Sequence, residues 1–454
     1  MTVKTEARGA PSTITFPRYD VAVMGRGNSA ALATLALVNG GFSVWAESTQ
    51  ASPKNPTNPE QPANNQTTPA WQRVLALSPG ARQGLVALGV WQRLEAGHGP
   101  VTDIAVGGPN DKDPPLRFAA GSRHKFNDLP VDIMSHIVSV PDLTNAIAAS
   151  LQACAGLTDQ AHVMETTSAP TAFDARTGIL TFSNGAQIRA ALLVDASGAQ
   201  SGWRQRAGIA CLRHDYGCAA LAAEIALGAP HGQVARQVFL PDGPLALLPL
   251  PASNRAGLVW SLPAPKAQAL AACSERVFNE ELNAAASETL GQMELIGTRA
   301  SHPLKAQIAE AFIGRRLALV GEAAHVIHPL AGQGMNLTLR DIGALVDTLT
   351  EARRLGLDYG DTNMLGNYSR LRYADALACA FGTHALSEIF SGPAPVRALA
   401  AAGLRGVGLI LDTYPKLKET FRRQADQGLG PLSGLFAAPA PDNMPSPAES
   451  DTKK

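Results

Sequence analysis

Several common kinds of chemistry find no footing in this sequence. Charged residues make up 17% of the 454 positions and aromatic residues 5%, and the formal net charge is zero. No broad field of one sign is therefore available to draw in nucleic acid or a strongly anionic surface, and no nucleic-acid partner is expected. The cysteines (Cys154, Cys211, Cys218, Cys273 and Cys379) are scattered, odd in number and free of any C-x-x-C spacing. They fit small core or surface residues in a reducing compartment, not a disulfide frame or a zinc site. No catalytic triad, metal-ligand cluster or carboxylate pair stands out. A run of roughly 18 uncharged apolar residues, enough for a membrane span, occurs nowhere. The nearest stretch, Val396 to Leu411, is too short and contains Arg397 and Arg405. Residues 1–18 carry no apolar signal core, and Glu6 interrupts any transit-peptide pattern. The expectation is a soluble or peripheral protein of the cytoplasm, not an integral one.

What is present begins at Tyr19-Asp-Val-Ala-Val-Met24, a buried-strand pattern. A Gly-rich turn follows, then a helix from about Ser29 to Val38, a stop at Gly40-Gly41, and a second strand, Phe42 to Ala46, ending in Glu47. The turn is Gly25-Arg-Gly27-Asn28-Ser29-Ala30. Gly25 permits a tight bend, Gly27 lets the backbone approach a pyrophosphate, and small Ala30 lets the helix pack close on the strand. Free amides at the helix start hold phosphates, and Glu47 stands where a carboxylate bonds ribose hydroxyls. This fingerprint predicts a dinucleotide site without separating NAD from FAD.

Residues 48–70 are rich in Pro, Asn and Thr and predict a surface loop. Helical patterns follow at Ser78 to Leu88 and Val140 to Ala153. A hairpin about Asn184-Gly185 joins Gly178–Phe182 to Ala186–Ala190, and the strand Leu192–Val194 runs into Asp195-Ala-Ser-Gly198. Short apolar runs from Tyr216 to Pro263 predict an antiparallel sheet, with Phe239 and Trp260 in its core. The strand Leu317–Val320 returns to the first domain, a long helix begins near Asn336, and the chain is helical beyond about Tyr368.

A second signature runs from Arg316 to Asp341. Its strand ends at Gly321-Glu322, a loop passes through His325, His328, Pro329, Gly332 and Gln333, and a helix starts after Gly334. A second carboxylate-ended strand is superfluous for NAD but suits a ribityl chain. The amides around Met335 and Asn336 suit the N1–C2=O edge of a flavin. His325 is expected to be a packed residue, and His328 with Pro329 forms a candidate flavin-adjacent pair.

These blocks, with Arg73-Val-Leu-Ala-Leu-Ser78, Leu88-Gly-Val-Trp91, Asp215-Tyr-Gly217, Phe239 to Pro249 and Leu258-Val-Trp260, resemble the ubiquinone-biosynthesis hydroxylases, within the para-hydroxybenzoate hydroxylase class of flavin monooxygenases. The likeness runs from about Tyr19 to Leu435. It implies an α/β fold: a discontinuous Rossmann-like FAD-binding domain (19–105, 140–210 and 300–367), an inserted antiparallel-sheet substrate domain (106–139 and 211–299) and a C-terminal helical region (368–437). Residues 1–18 and 438–454 are expected to be disordered tails. The cofactor implied is FAD, with NAD(P)H as co-substrate, molecular oxygen as oxidant and a polyprenylated phenol as the ring hydroxylated. Arg73 resembles the family arginine close to FAD. The apolar, cationic stretch Ala394 to Lys418 suits peripheral contact with the inner membrane face, and a ubiquinone-synthesis protein complex is a further expected partner. Two alternatives are a hydroxylase of a smaller soluble aromatic and a non-catalytic FAD-binding partner of such a complex.

This sequence departs from the family pattern at three positions. Glu322 stands for the usual Asp, Ser197 replaces a carboxylate tied to both FAD and NAD(P)H handling, and Thr338 replaces a usual Gly. Asp195, two residues before Ser197, takes that carboxylate's place only if its side chain reaches the same side.

Overall fold

A computed structural model describes residues 16–47, 73–108, 116–119, 125–126, 129–130, 133–155, 161–164, 168–328, 332–391, 403, 426, 428 and 433–436. The expected loop at 48–70, the tail 438–454, Pro329 and nearly all of Ala394 to Lys418 lie outside these residues. Of the tail expected at 1–18, residues 16–18 are described, and Arg18 already belongs to a strand whose Cα partner is Arg189.

The first sheet is parallel through Ala161–Met164, Val44–Glu47, Arg18–Met24, Gln187–Asp195 and Leu317–Leu319. Its central strands read as unbroken apolar runs because both of their faces are buried. Val21, Ala22, Val23 and Met24 are fully buried, as are Leu192, Val194 and Leu319. The crossover helix Asn28–Asn39 is buried from Ala30 through Val38. A helix apolar on all sides must be enclosed, and this one lies between the sheet and the helices Val140–Ala155 and Gly334–Arg354. The hairpin at Asn184-Gly185 is present, with Ile179–Phe182 antiparallel to Gln187–Asp195. Its second arm and the run Leu192–Val194 are one continuous strand.

The second sheet orders His325–Val326, Met293–Ala309, Cys211–Leu227, Arg255–Pro263, Gly243–Pro249, Val234–Leu240, Asp103–Gly107 and Leu116–Ala119. All neighbours are antiparallel except Val234–Leu240 with Asp103–Gly107. The helices Ala264–Ala272 and Glu275–Leu290 pack on it, burying Leu221, Leu258, Trp260, Phe278 and Leu282. Trp260 is sheet core, as its sequence context predicts. The expected boundary at 105/106 falls inside the strand Asp103–Gly107. The strand Met293–Ala309, split by the boundary expected at 299/300, lies wholly in this sheet.

A ribbon of Val74–Leu77, Ser135–Ser139 and Gly99–Val101 joins the two units. Gly99 is pressed so hard on the second sheet that a Cβ there would stand 1.9 Å from the Pro249 carbonyl oxygen. The long helix Thr362–Ser391 follows, and the short turn Gly434–Phe436 packs back on the helices Pro79–Ala87 and Gly334–Arg354.

Candidate functional site

Strand register brings three turns to one edge. Met24 pairs with Asp195, and Asp195 pairs with Leu319. The turns after these strands, at Gly25, Ala196 and Gly321, therefore lie side by side at the carboxyl ends of parallel strands, where open α/β sheets bind ligands.

Gly25 has φ +116°, and a Cβ there would sit 2.5 Å from the Ala196 carbonyl oxygen, so only glycine fits. Gly27 caps the helix Asn28–Asn39. No side chain bonds the helix start, no acid occupies its first turn, and a Cβ at Gly27 would meet nothing within 4 Å. The space in front of Gly27 is thus open, as a phosphate cradle requires. The Asn28 side chain turns away, its Nδ2 donating to Thr144 Oγ1 at 3.0 Å. Glu47 stands at the turn: the Gly25 N–H donates to its Oε2 at 2.7 Å, and Arg26 Nε lies 3.9 Å from Oε1.

Gly321 joins the two signatures. It has φ +62°, and a Cβ there would stand 3.0 Å from Thr338 Oγ1 and 3.2 Å from Ser29 Oγ. The start of the fingerprint helix, the end of the Leu317–Leu319 strand and the start of the helix Gly334–Arg354 therefore touch one another. Glu322 sits exposed in the short turn Gly321–Ala323.

Gly332, φ +61°, lies against Ala76, whose Cβ is 2.9 Å from where a Cβ of its own would be. Asn336, buried, stitches this loop to the ribbon. Its Oδ1 accepts from the Ser78 N–H at 3.1 Å, and its Nδ2 donates to the Ala76 carbonyl at 3.2 Å and to Gln333 Oε1 at 3.3 Å. Gln333 precedes the helix without capping it through its side chain, and no acid lies in the first turn, so the amides at Gly334 and Met335 keep their positive end exposed to a ligand. Arg73 is exposed at the start of the ribbon strand, its carbonyl accepting from the Val140 N–H at 2.7 Å. Burial first, and then the Arg73 charge, depress the His302 pKa.

Asp195 does not replace the missing carboxylate at the surface. It is fully buried, and its carboxylate accepts from the Ser197 N–H at 3.0 Å, the Ser197 hydroxyl at 2.6 Å and the Ser201 hydroxyl.

His325 is a packed residue, as the sequence reading has it. Its Nε2 lies 2.7 Å from Asp341 Oδ2, and both residues are buried. Burial opposes ionisation of Asp341, but His325 and Arg372 together outweigh it and hold the carboxyl below its ordinary range. His328, also buried, meets the Tyr216 ring edge to face at 4.8 Å between centroids. Burial first, and the His384 charge second, push its pKa down to about 4. His214 and His384 complete a group of rings around Tyr216, at 4.6 and 5.7 Å from it.

Sequence reasoning missed His214, His384, Asp341 and Arg204. The block Asp215-Tyr-Gly217 flags the neighbourhood of the first, but nothing local singles out His384, whose helix brings it there. Arg204 is a fully buried arginine that no periodic pattern marks.

The residues fit an extended flavin dinucleotide: two uncapped helix starts, two carboxylates at strand ends, and a cradle at Gly27 that a side chain would fill. The family model described as FAD binding domain matches residues 83–377. Over 357 residues the chain is 34% identical to the ubiquinone hydroxylase UbiL of Rhodospirillum rubrum, covering 78% of this chain and 79% of that one. It is 35% identical over 216 residues to the 3-demethoxyubiquinol 3-hydroxylase of Escherichia coli, 48% of this chain and 55% of the relative. In fold it is similar to p-nitrophenol 4-monooxygenase PnpA of Pseudomonas putida, with a TM-score of 0.67 at 17% identity over 90% of this chain and 99% of that one. The chain belongs to the FAD-dependent hydroxylase family of ubiquinone biosynthesis.

Proposed function

We propose that this chain hydroxylates the aromatic ring of a polyprenylated phenol, with FAD bound across the three turns and NAD(P)H as reductant. The observation that carries this reading is the convergence of Ser29, Gly321 and Thr338, which makes one continuous site of the two signatures. Gly25, Gly27, Ser29, Ala30 and Glu47 would hold the adenosine and pyrophosphate, and Glu322 the ribityl hydroxyls. Gly332 to Asn336, with Arg73 nearby, would hold the flavin ring. Bound FAD supplies the activation of dioxygen. In balance, a ring C–H becomes C–OH with one oxygen atom, the other leaves as water, and NAD(P)H gives the electron pair.

His328 and Tyr216 are the groups proposed to face the substrate ring. A buried imidazole held neutral can accept a hydrogen bond from a phenol O–H and orient the ring without placing a charge in the site. No described helix is long and apolar enough to cross a membrane. Peripheral contact with the inner membrane face, and membership of a synthesis complex, accord with so apolar a substrate.

Purified protein loaded with FAD should oxidise NADH or NADPH faster when a prenylated phenol is added, with the hydroxylated product found by mass spectrometry. Equal or better turnover of unprenylated phenols points to a smaller substrate. Failure to retain FAD sinks the reading altogether.

A further inference from the structure

Two buried charges grip the turn that carries Glu322. Arg204 is fully buried, and its guanidinium donates to the Ala323 carbonyl at 2.7 Å and to the Ala199 carbonyl at 2.8 Å. Asp341 is fully buried as well, and its Oδ2 accepts from the Gly321 N–H at 3.0 Å. The three-residue turn Gly321–Ala323 is thus held by a carboxylate at its first amide and by a guanidinium at its last carbonyl, with Glu322 exposed between them.

Each grip is itself anchored. Asp341 also accepts from His325 Nε2 at 2.7 Å and from Arg372 Nε at 2.8 Å. The Arg204 amide donates to Ser201 Oγ at 3.0 Å, and the Ser201 hydroxyl donates in turn to Asp195. Taking such charges out of water costs several kcal/mol per ion unless their bonds are well made, and each of these two ions makes one of its bonds to the backbone of the same turn. Glutamate has three side-chain torsions, so the place its carboxylate can occupy depends on where its Cα is fixed.

We propose that Arg204 and Asp341 are positioning residues that set the reach of Glu322 toward the hydroxyls of bound FAD. This rests on the site reading above, in which Glu322 is an FAD ligand.

A double-mutant cycle on FAD affinity tests it. The dissociation constant of the apoprotein for FAD is measured by fluorescence titration for the unaltered chain, Arg204→Lys, Glu322→Ala and the double variant, and again with Asp341→Asn in place of Arg204→Lys. Lysine keeps the buried charge but cannot fork to both carbonyls. The expected result is a loss of about tenfold where Glu322 is present and less than about twofold where it is already Ala, since coupled residues are non-additive. A merely structural role gives the same factor in both backgrounds, and that result, or no loss in either, overturns the proposal. Thermal melts of the apoproteins identify any variant that has lost its fold, and Arg204→Met replaces Arg204→Lys if that one has. Should Glu322→Ala alone leave FAD affinity unchanged, the assignment of Glu322 fails and takes the proposal with it. Product formation from the prenylated phenol would still judge the proposed function separately.

Discussion

His136 and His328 are buried imidazoles whose neutrality has a consequence for stability. His136 is pushed down to about 3, by burial first and then by the His98 and Arg82 charges, and His328 down to about 4. In the unfolded chain both titrate near 6.5. As pH falls below that value the unfolded chain takes up protons that the folded one refuses. Their contribution is complete above the unfolded value and is lost progressively toward the folded ones. The slope is about 1.4 kcal/mol per pH unit for each histidine. Urea denaturation between about pH 7 and 5 should show this slope, and His328→Gln should reduce it by about one proton; an unchanged slope would contradict the burial argument. Gly321 makes a second residue-level prediction. With φ +62° and Thr338 and Ser29 pressing on it, Gly321→Ala should cost on the order of 1–2 kcal/mol in folding and weaken FAD binding. Thermal melts and FAD titration check both parts, and an unaffected variant would show that the contact is slack.

At the scale of elements, Asn336 does the most with one side chain. It joins the start of a helix to a ribbon strand far away in sequence, bonding both the Ser78 amide and the Ala76 carbonyl. Asn336→Leu keeps the volume but leaves these backbone groups without that partner, at on the order of 1–3 kcal/mol each. A clear drop in melting temperature with weaker FAD binding is expected; an unchanged melting temperature would contradict it. The elements at the proposed cofactor site were the ones most legible in the sequence. Met24, Gly25 and Glu47 belong to one short βαβ unit whose local pattern carries its own register. The strand Met293–Ala309 was much less legible. Its partner, Cys211–Leu227, lies far back along the chain, and its exposed and half-buried residues alternate too irregularly to announce a strand. The helix Ala264–Ala272 went unread because its faces are filled with alanine, and Glu275–Leu290 because only Phe278, Leu282 and Leu290, with Ala286 between, mark its buried face. Arg204 and Asp341 were invisible for a different reason: a buried ion is recognised by what surrounds it, and those partners come from other elements.

For the molecule as a whole, two sheets meet across a ribbon, and the proposed flavin site lies on the edge where three parallel strands end. Ser29, Gly321 and Thr338 meet at one part of it, and Gly332 meets Ala76 at another. The second sheet brings Tyr216 to His328, at the start of the loop proposed to hold the flavin. Such an arrangement serves a reaction in which the cofactor carries the oxygen chemistry and the protein orients an apolar ring and keeps water away. The most direct measurement supplies FAD-loaded protein with NAD(P)H, isotopically labelled dioxygen and a prenylated phenol, and follows the label by mass spectrometry. The account predicts one labelled oxygen atom in a new ring hydroxyl, formed only when FAD is bound. Product carrying oxygen from water, or hydroxylation undiminished in a Gly27→Trp variant that holds no FAD, would contradict it.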